Sequence, residues 1–132
     1  IRLTRAADGS ALAQLAVDAE SPEALLETIF FQILGRLPRA EELSAMMPVL
    51  QSGFDQRILP AEEIAVPPAL APLPLTTWYN NLNSEAGDIQ VERAHRLRLG
   101  PPGDRRLDPR WREVYEDLIW SLVNHREFVW IP

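Results

Sequence analysis

Five of the 12 prolines fall within residues 60–74, "PAEEIAVPPALAPLP", and this cluster limits what the chain can build. Proline has no backbone N–H and holds φ fixed, so neither a helix nor a central strand can run through such a stretch. The backbone is pushed instead towards an extended, polyproline-like path. Regular structure must come from the blocks on either side. The stretch also carries Ile64, Val66, Leu70, Leu73 and Leu75, too apolar for a solvated linker. The expectation is a long irregular segment, residues 52–82, lying over the rest of the molecule. Loops of this length are uncommon unless they are functional or packed by their own side chains.

Both flanking blocks read as helix. Residues 8–20 form the first candidate, with Asp8 or Ser10 as N-cap and Leu12, Leu15 and Ala16 on one side. Residues 22–35 form the second. Ser21 caps it, Pro22 suits the first helical position, and Glu23 and Glu27 suit the positive end of the helix dipole. Its core stripe is Leu25, Leu26, Ile29, Phe30, Ile33 and Leu34, and Gly35 with Pro38 marks the stop. A third helix, residues 39–51, restarts at once, so the two form an αα-hairpin. Its apolar side is Leu43, Met46, Met47 and Leu50, and Pro48 is expected to kink it or end it early.

After the Pro-rich segment, residues 84–99 are helical, capped by Ser84 or Asn83, with Glu92 and Arg96 as an i, i+4 pair and Gly100 at the end. Residues 109–124 form the most strongly patterned helix, with Asp108 as cap and Pro109 first. Trp111, Val114, Tyr115, Leu118, Ile119 and Leu122 share one face, while Arg112, Glu113, Glu116, Asp117 and Asn124 share the other. The only hint of a strand is "FVWIP" at residues 128–132. The fold class is therefore all-α: four to five helices in a compact bundle, one domain over residues 1–132, wrapped by the Pro-rich segment.

An apolar share of 46 % with 24 % charged residues is an ordinary globular balance, which argues against wholesale disorder. The net charge of −6 makes a poor general nucleic-acid binder, because phosphate contacts need basic surface. All 13 basic residues are Arg. Cysteine is absent, which excludes disulfides, thiolate catalysis, a Cys-based zinc site and covalent c-type haem attachment within this chain. No run approaches the roughly 18–20 apolar residues of a membrane span. The chain opens on Ile1 rather than Met, which is expected of a fragment or processed segment with targeting signals upstream.

Chemistry-bearing patterns are sparse. His95 and His125 lie in different segments, neither at a metal-ligand spacing from another ligand, and read as surface or satisfied core residues. The pairs Glu41–Glu42, Glu62–Glu63 and Glu116–Asp117 are sequence neighbours; on a helix such neighbours diverge by about 100°, so they do not make an acid/base pair. Arginines concentrate in residues 93–112, namely Arg93, Arg96, Arg98, Arg105, Arg106, Arg110 and Arg112. Such a group would clamp an acidic partner or phosphates, or pair with the domain's own acids, and the second reading is preferred. Two aromatics are placed against their helix pattern: Phe31 lies opposite the stripe of its helix, and Trp120 opposite the stripe of the last one. Each needs a cover, either the Pro-rich segment or another protein. The composition of residues 52–82 favours the internal cover.

Three stretches resemble a known family. "LLETIFFQILGRLPRAEEL" is similar to the pattern "fLrtLgRpPtpeEl". "RWREVYEDLIWSLVNHREFVWIP" is similar to "WRe…EDlLWaLlNspEFvfvP". "TTWYNNLNSEAGDIQVERAHRLRLGPPGDRRLDPRWRE" resembles "WsNHLspEA…GdpPterL…WRe". These patterns belong to the C-terminal uncharacterised domain of large exported proteins, found mainly in planctomycetes and related bacteria, in which a planctomycete-type cytochrome c domain often lies upstream. The resemblance covers most of residues 20–132 apart from the Pro-rich segment. It implies an extracytoplasmic setting, periplasmic or cell-surface, with haem in a partner or upstream domain and none held by this chain. It carries over no catalytic residues. One departure is plain: where the pattern has Asn-His, this chain has Asn80 and Asn81.

The functional expectation is a non-catalytic structural or interaction module, an accessory or C-terminal part of an exported, cytochrome-associated protein. Its partner would be a protein or neighbouring domain such as a c-type cytochrome, with no nucleic acid and no transmembrane segment. The candidate contacts are Phe31, Trp78, Trp120, Arg105 and Arg106, and no residue is assigned a catalytic, cofactor or metal role. The alternative is a piece of a hydrolytic or redox enzyme whose site is completed by residues outside this chain.

Overall fold

Each of the well-capped helices begins where a side chain accepts its first free N–H groups. In the computed structural model, which describes residues 4–66, 69–79 and 81–129, Ser10 Oγ accepts from Ala13 N at 3.1 Å and opens α1, Ala11–Asp18. Ser21 Oγ accepts from Ala24 N at 3.1 Å and opens α2, Pro22–Leu34. Asp108 Oδ1 accepts from Trp111 N at 2.9 Å and opens α5, Pro109–Val123. Both α2 and α5 carry proline at the first helical position, where no N–H is needed. Between them lie α3, Ala40–Gln51, a single 3₁₀ turn at Phe54–Gln56, and α4, Ser84–Leu99; a short α6, Arg126–Val129, follows α5. The described residues form no strand, only two isolated bridges, Ala7 with Gly103 and Ile58 with Leu107. The all-α class is as expected.

The chain divides into two compact units, residues 4–64 with 103–129, and residues 65–102. The first is a bundle in which α2, α3 and α5 pack on one another and α6 meets α2 and α5. Its core holds Leu25, Leu26, Ile29 and Phe30 from α2, Leu50 from α3, and Trp111, Tyr115, Leu118, Ile119 and Leu122 from α5. These are the stripes that the 3.6-residue period selects. Gly35 ends α2 at φ 70°, a left-handed turn that lets the chain reverse into α3. The large aromatics keep their polar atoms bonded. Trp111 Nε1 donates to the Leu50 carbonyl at 3.0 Å, and Tyr115 Oη donates to the Leu12 carbonyl at 2.9 Å. The two rings stack with centroids 5.3 Å apart. Burial pushes the Tyr115 hydroxyl well above the usual phenol range.

The end of α1 poses a problem that Arg57 solves. This helix has neither a basic residue in its last turn nor a left-handed cap, so its final carbonyls need donors from elsewhere. Arg57, only 7 % exposed, supplies them. Nε donates to Ala16 O at 2.7 Å, while Nη2 donates to Ala19 O at 2.6 Å and Val17 O at 3.3 Å. Nη1 donates to Phe54 O at 3.0 Å, and the guanidinium lies 3.8 Å from the centroid of the Phe54 ring. The Arg57 carbonyl in turn accepts from Asp108 N at 2.7 Å, which places the cap of α5.

In the second unit, α4 grips extended chain through its arginines. Arg93 Nη2 donates to Pro74 O at 2.9 Å, and Arg96 Nη1 donates to Ala71 O at 2.9 Å while Nε pairs with Glu92 at 2.8 Å. Proline-rich backbone has carbonyl acceptors and few donors of its own, so a guanidinium is its natural complement. Apolar side chains of this stretch face outward: Val66, Leu70 and Leu75 are all exposed.

Several expectations need correction. The Pro-rich segment is not a single cover. Residues 52–64 belong to the bundle through Phe54 and Arg57, and residues 65–82 go with α4. Pro48 does not end α3, which continues to Gln51, because Ser44 and Pro48 are both exposed and water can serve the carbonyl that proline leaves free. Asn83 precedes α4 but makes no side-chain cap. "FVWIP" does not begin as a strand: Phe128 and Val129 are helical, with Phe128 N donating to His125 O at 3.0 Å. The rest of that motif, and Asn80 from the family comparison, lie outside the described residues.

Replacing Arg57 by Lys keeps the charge but not four directed donors. An equilibrium denaturation of Arg57→Lys is expected to lose about 3 kcal/mol, more than one ordinary hydrogen bond, because buried carbonyls are left unpaired.

Candidate interaction surface

The aromatics that broke their helix patterns are solvent-facing. Phe31 on α2 is 64 % exposed and Trp120 on α5 is 59 % exposed, and residues 52–64, the part of the Pro-rich segment that belongs to the bundle, leave both open. At the edge of the polar face of α5, Arg112 and Glu116 retain only 18 % and 15 % of their side-chain exposure, while Glu113 and Asp117 on the same face are exposed. The outer face of α5 is thus open along its length, at Trp120 as at Glu113. An apolar groove of about 330 Å³ lies between α3 and α5, lined by Met46, Val49, Val114 and Leu118 together with Asp117 and Ser121. Trp120 neighbours Ser121 in sequence but does not itself line this groove. Trp78 belongs to the other unit and is 89 % exposed, with Tyr79 beside it at 90 %.

Arg105 and Arg106 are drawn into the bundle's own acids rather than left free. Arg105 pairs with Asp8 at 3.5 Å. Arg106 grips fully buried Asp104 through Nε at 3.0 Å and Nη2 at 2.8 Å, and its backbone N–H adds a third bond at 2.9 Å. This holds the Asp104 carboxyl below the usual range against the opposing cost of burial. Next to it, Arg112 pairs with Glu116 at 3.5 Å and donates to Asp104 O at 3.2 Å, while Glu116 accepts from Ala6 N at 3.0 Å. The guanidinium sits flat on Gly103: a Cβ there would lie 2.3 Å from Arg112 Cζ. Residues 6–7 and 103–106 are thereby pinned to α5. Arg93 and Arg96 are engaged with α4's own unit, and Arg98 and Arg110 are exposed. Internal pairing, the preferred reading of the arginine concentration, accounts for most of it.

A second ionic centre escaped the sequence reading. Arg36 donates from Nη1 and Nη2 to Glu42 at 2.8 and 2.7 Å, and from Nε to Glu127 of α6. Arg39 reaches the other Glu127 oxygen at 3.1 Å, and its backbone N–H bonds to Glu42 at 2.7 Å. The bidentate Arg36 holds the Glu42 carboxyl down at about 2, helped by the Arg39 N–H. The same Arg36 lowers Glu127. The Glu42 half had a local signal, a glutamate three residues after the start of a helix. The Glu127 half had none, since its partners lie 91 and 88 residues away. Glu41, the neighbour of Glu42, is exposed, as the 100° step demands.

Among the described residues, no group of three or more His, Cys, Asp and Glu is placed to hold a metal ion, and no helix is long and apolar enough to cross a membrane. No family model, curated protein or solved structure matches the chain.

Because Glu42 titrates lower in the folded chain than in the unfolded one, its stabilisation is complete above about pH 4.5 and is lost as pH falls towards 2. Denaturation midpoints measured across that window should fall steeply for wild type and less steeply for Glu42→Gln. Gly103→Ala should cost about 1 kcal/mol, because the Arg112 guanidinium must swing aside and give up its bond to Asp104 O. In a double-mutant cycle with Arg112→Ala, measured by chemical denaturation, much of that cost should disappear.

Proposed function

We propose that this chain is a non-catalytic interaction module, an accessory or C-terminal part of an exported, cytochrome-associated protein. The observation that carries this reading is the exposure of Phe31, Trp78 and Trp120, large aromatics that contribute nothing to the buried core. An exposed tryptophan, on a bundle that also carries an apolar groove between α3 and α5, is the composition of an interface anchor. The acidic and basic clusters, by contrast, are engaged in holding the fold: Arg36 with Glu42 and Glu127, Arg106 with Asp104, Arg112 with Glu116.

The sequence motifs supply the setting. Their resemblance to the domain that follows a planctomycete-type cytochrome c domain points to an extracytoplasmic location and to a haem-bearing neighbour. A net charge of −6 favours a partner surface of positive sign. In this reading Trp120 and the α3–α5 groove form the contact.

The gene upstream of Ile1 should encode a signal peptide and a Cys-x-x-Cys-His motif, and a gene lacking both removes the cytochrome association. Trp120→Ala should keep the thermal stability of wild type within about 0.5 kcal/mol, as expected of an exposed site. In a binding assay against the neighbouring domain or its cytochrome it should weaken association by about tenfold or more. Unfolding of the variant, or unchanged binding, overturns the interface. Hydrolytic or redox turnover by the purified chain overturns the non-catalytic reading.

A further inference from the structure

One groove of the bundle runs against the acidic character of the chain. It is an open recess of about 690 Å³ lined by Arg39, His125, Arg126 and Glu127. Among the described residues its one carboxylate is already neutralised, since Glu127 is held by both Arg36 and Arg39. Arg39 uses only Nη2 in that pair and is 66 % exposed at the side chain, so among the described residues Nε and Nη1 carry no further bond. Arg126 is exposed and carries no ion pair among the described residues. His125 Nδ1 accepts from Glu127 N at 3.3 Å, which assigns the ring proton to Nε2 and makes that edge a donor as well. Among the described residues, Arg36, Arg39 and Arg126 stand against two carboxylates here, Glu42 and Glu127, a local positive excess on a protein of net charge −6. Guanidinium forks with unused N–H groups match the paired oxygens of a phosphate or carboxylate.

We propose that this recess is a binding site for a small ligand bearing a phosphate or carboxylate group, held between Arg39 and Arg126 with His125 as a third donor. Arg36 touches no ligand in this arrangement and positions the site by neutralising Glu127. The site is separate from Trp120 and does not depend on the interface assigned to it.

The test is an NMR titration of the whole chain with inorganic phosphate and, separately, with citrate, at constant ionic strength. Saturable shifts of the Arg39 and Arg126 Nε–H signals and of the His125 ring are expected with at least one anion, and the anion that saturates assigns the class. Arg126→Gln should weaken binding about tenfold, the worth of one charge-assisted hydrogen bond, and Arg126→Lys by less. Arg110→Gln, which removes an exposed arginine elsewhere on the bundle, should leave binding unchanged. Shifts that never saturate with either anion overturn the site. So does an equal loss in Arg110→Gln and Arg126→Gln, which would mean general charge screening.

Discussion

The bundle turns on one buried cation that is bonded to carbonyl oxygens rather than to a carboxylate. Arg57 is surrounded by carbonyl oxygens and an aromatic face, an arrangement in which desolvation lowers its affinity for the proton without removing it. An arginine tolerates this because its guanidinium stays charged and its donors point in fixed directions. The consequence spreads along the chain. The same residue closes α1, fixes the 3₁₀ turn beneath it, and through its own carbonyl sets the first residue of α5. From there Trp111 and Tyr115 reach back to Leu50 and Leu12, so the aromatic stack inherits its position from Arg57.

Around that centre the ionic groups lie nearer the surface and tie down segments that packing alone would leave loose. Residues 6–7 have no helix of their own, and α6 is one turn long. Each is held by a hydrogen-bonded carboxylate, Glu116 in one case and Glu127 in the other. Short elements cannot bury enough apolar area to order themselves, and directed charge-assisted bonds make up part of the difference. The polar residues of this protein are therefore mostly structural, which is why the aromatic residues left outside the core stand out.

The helices were legible because their signals are local. Ser21–Pro22 and Asp108–Pro109 announce helix starts within two residues, and the core stripes follow from a fixed angular step. Phe31 and Trp120 were legible as anomalies for the same reason. What covers them was not legible, because that depends on where the Pro-rich chain goes. Its destination was decided by Arg93 and Arg96 seeking carbonyls rather than by its own apolar side chains. Arg57 and the Arg36–Glu127 pair were invisible for a related reason. Both join residues far apart in the chain, and no periodicity records a long-range hydrogen bond. The lack of a glycine or a basic residue at the end of α1 was the one available hint that a donor had to arrive from elsewhere.

The grip of α4 on Ala71 and Pro74 has an evolutionary side. Every residue offers the same carbonyl, so a clamp that holds main-chain oxygens is blind to the side chains it carries. Outward residues such as Val66 and Leu70 are free to be exchanged without loosening the attachment. The segment is thus a scaffold on which surface chemistry can be rewritten quickly, while two arginines one turn apart keep its path unchanged.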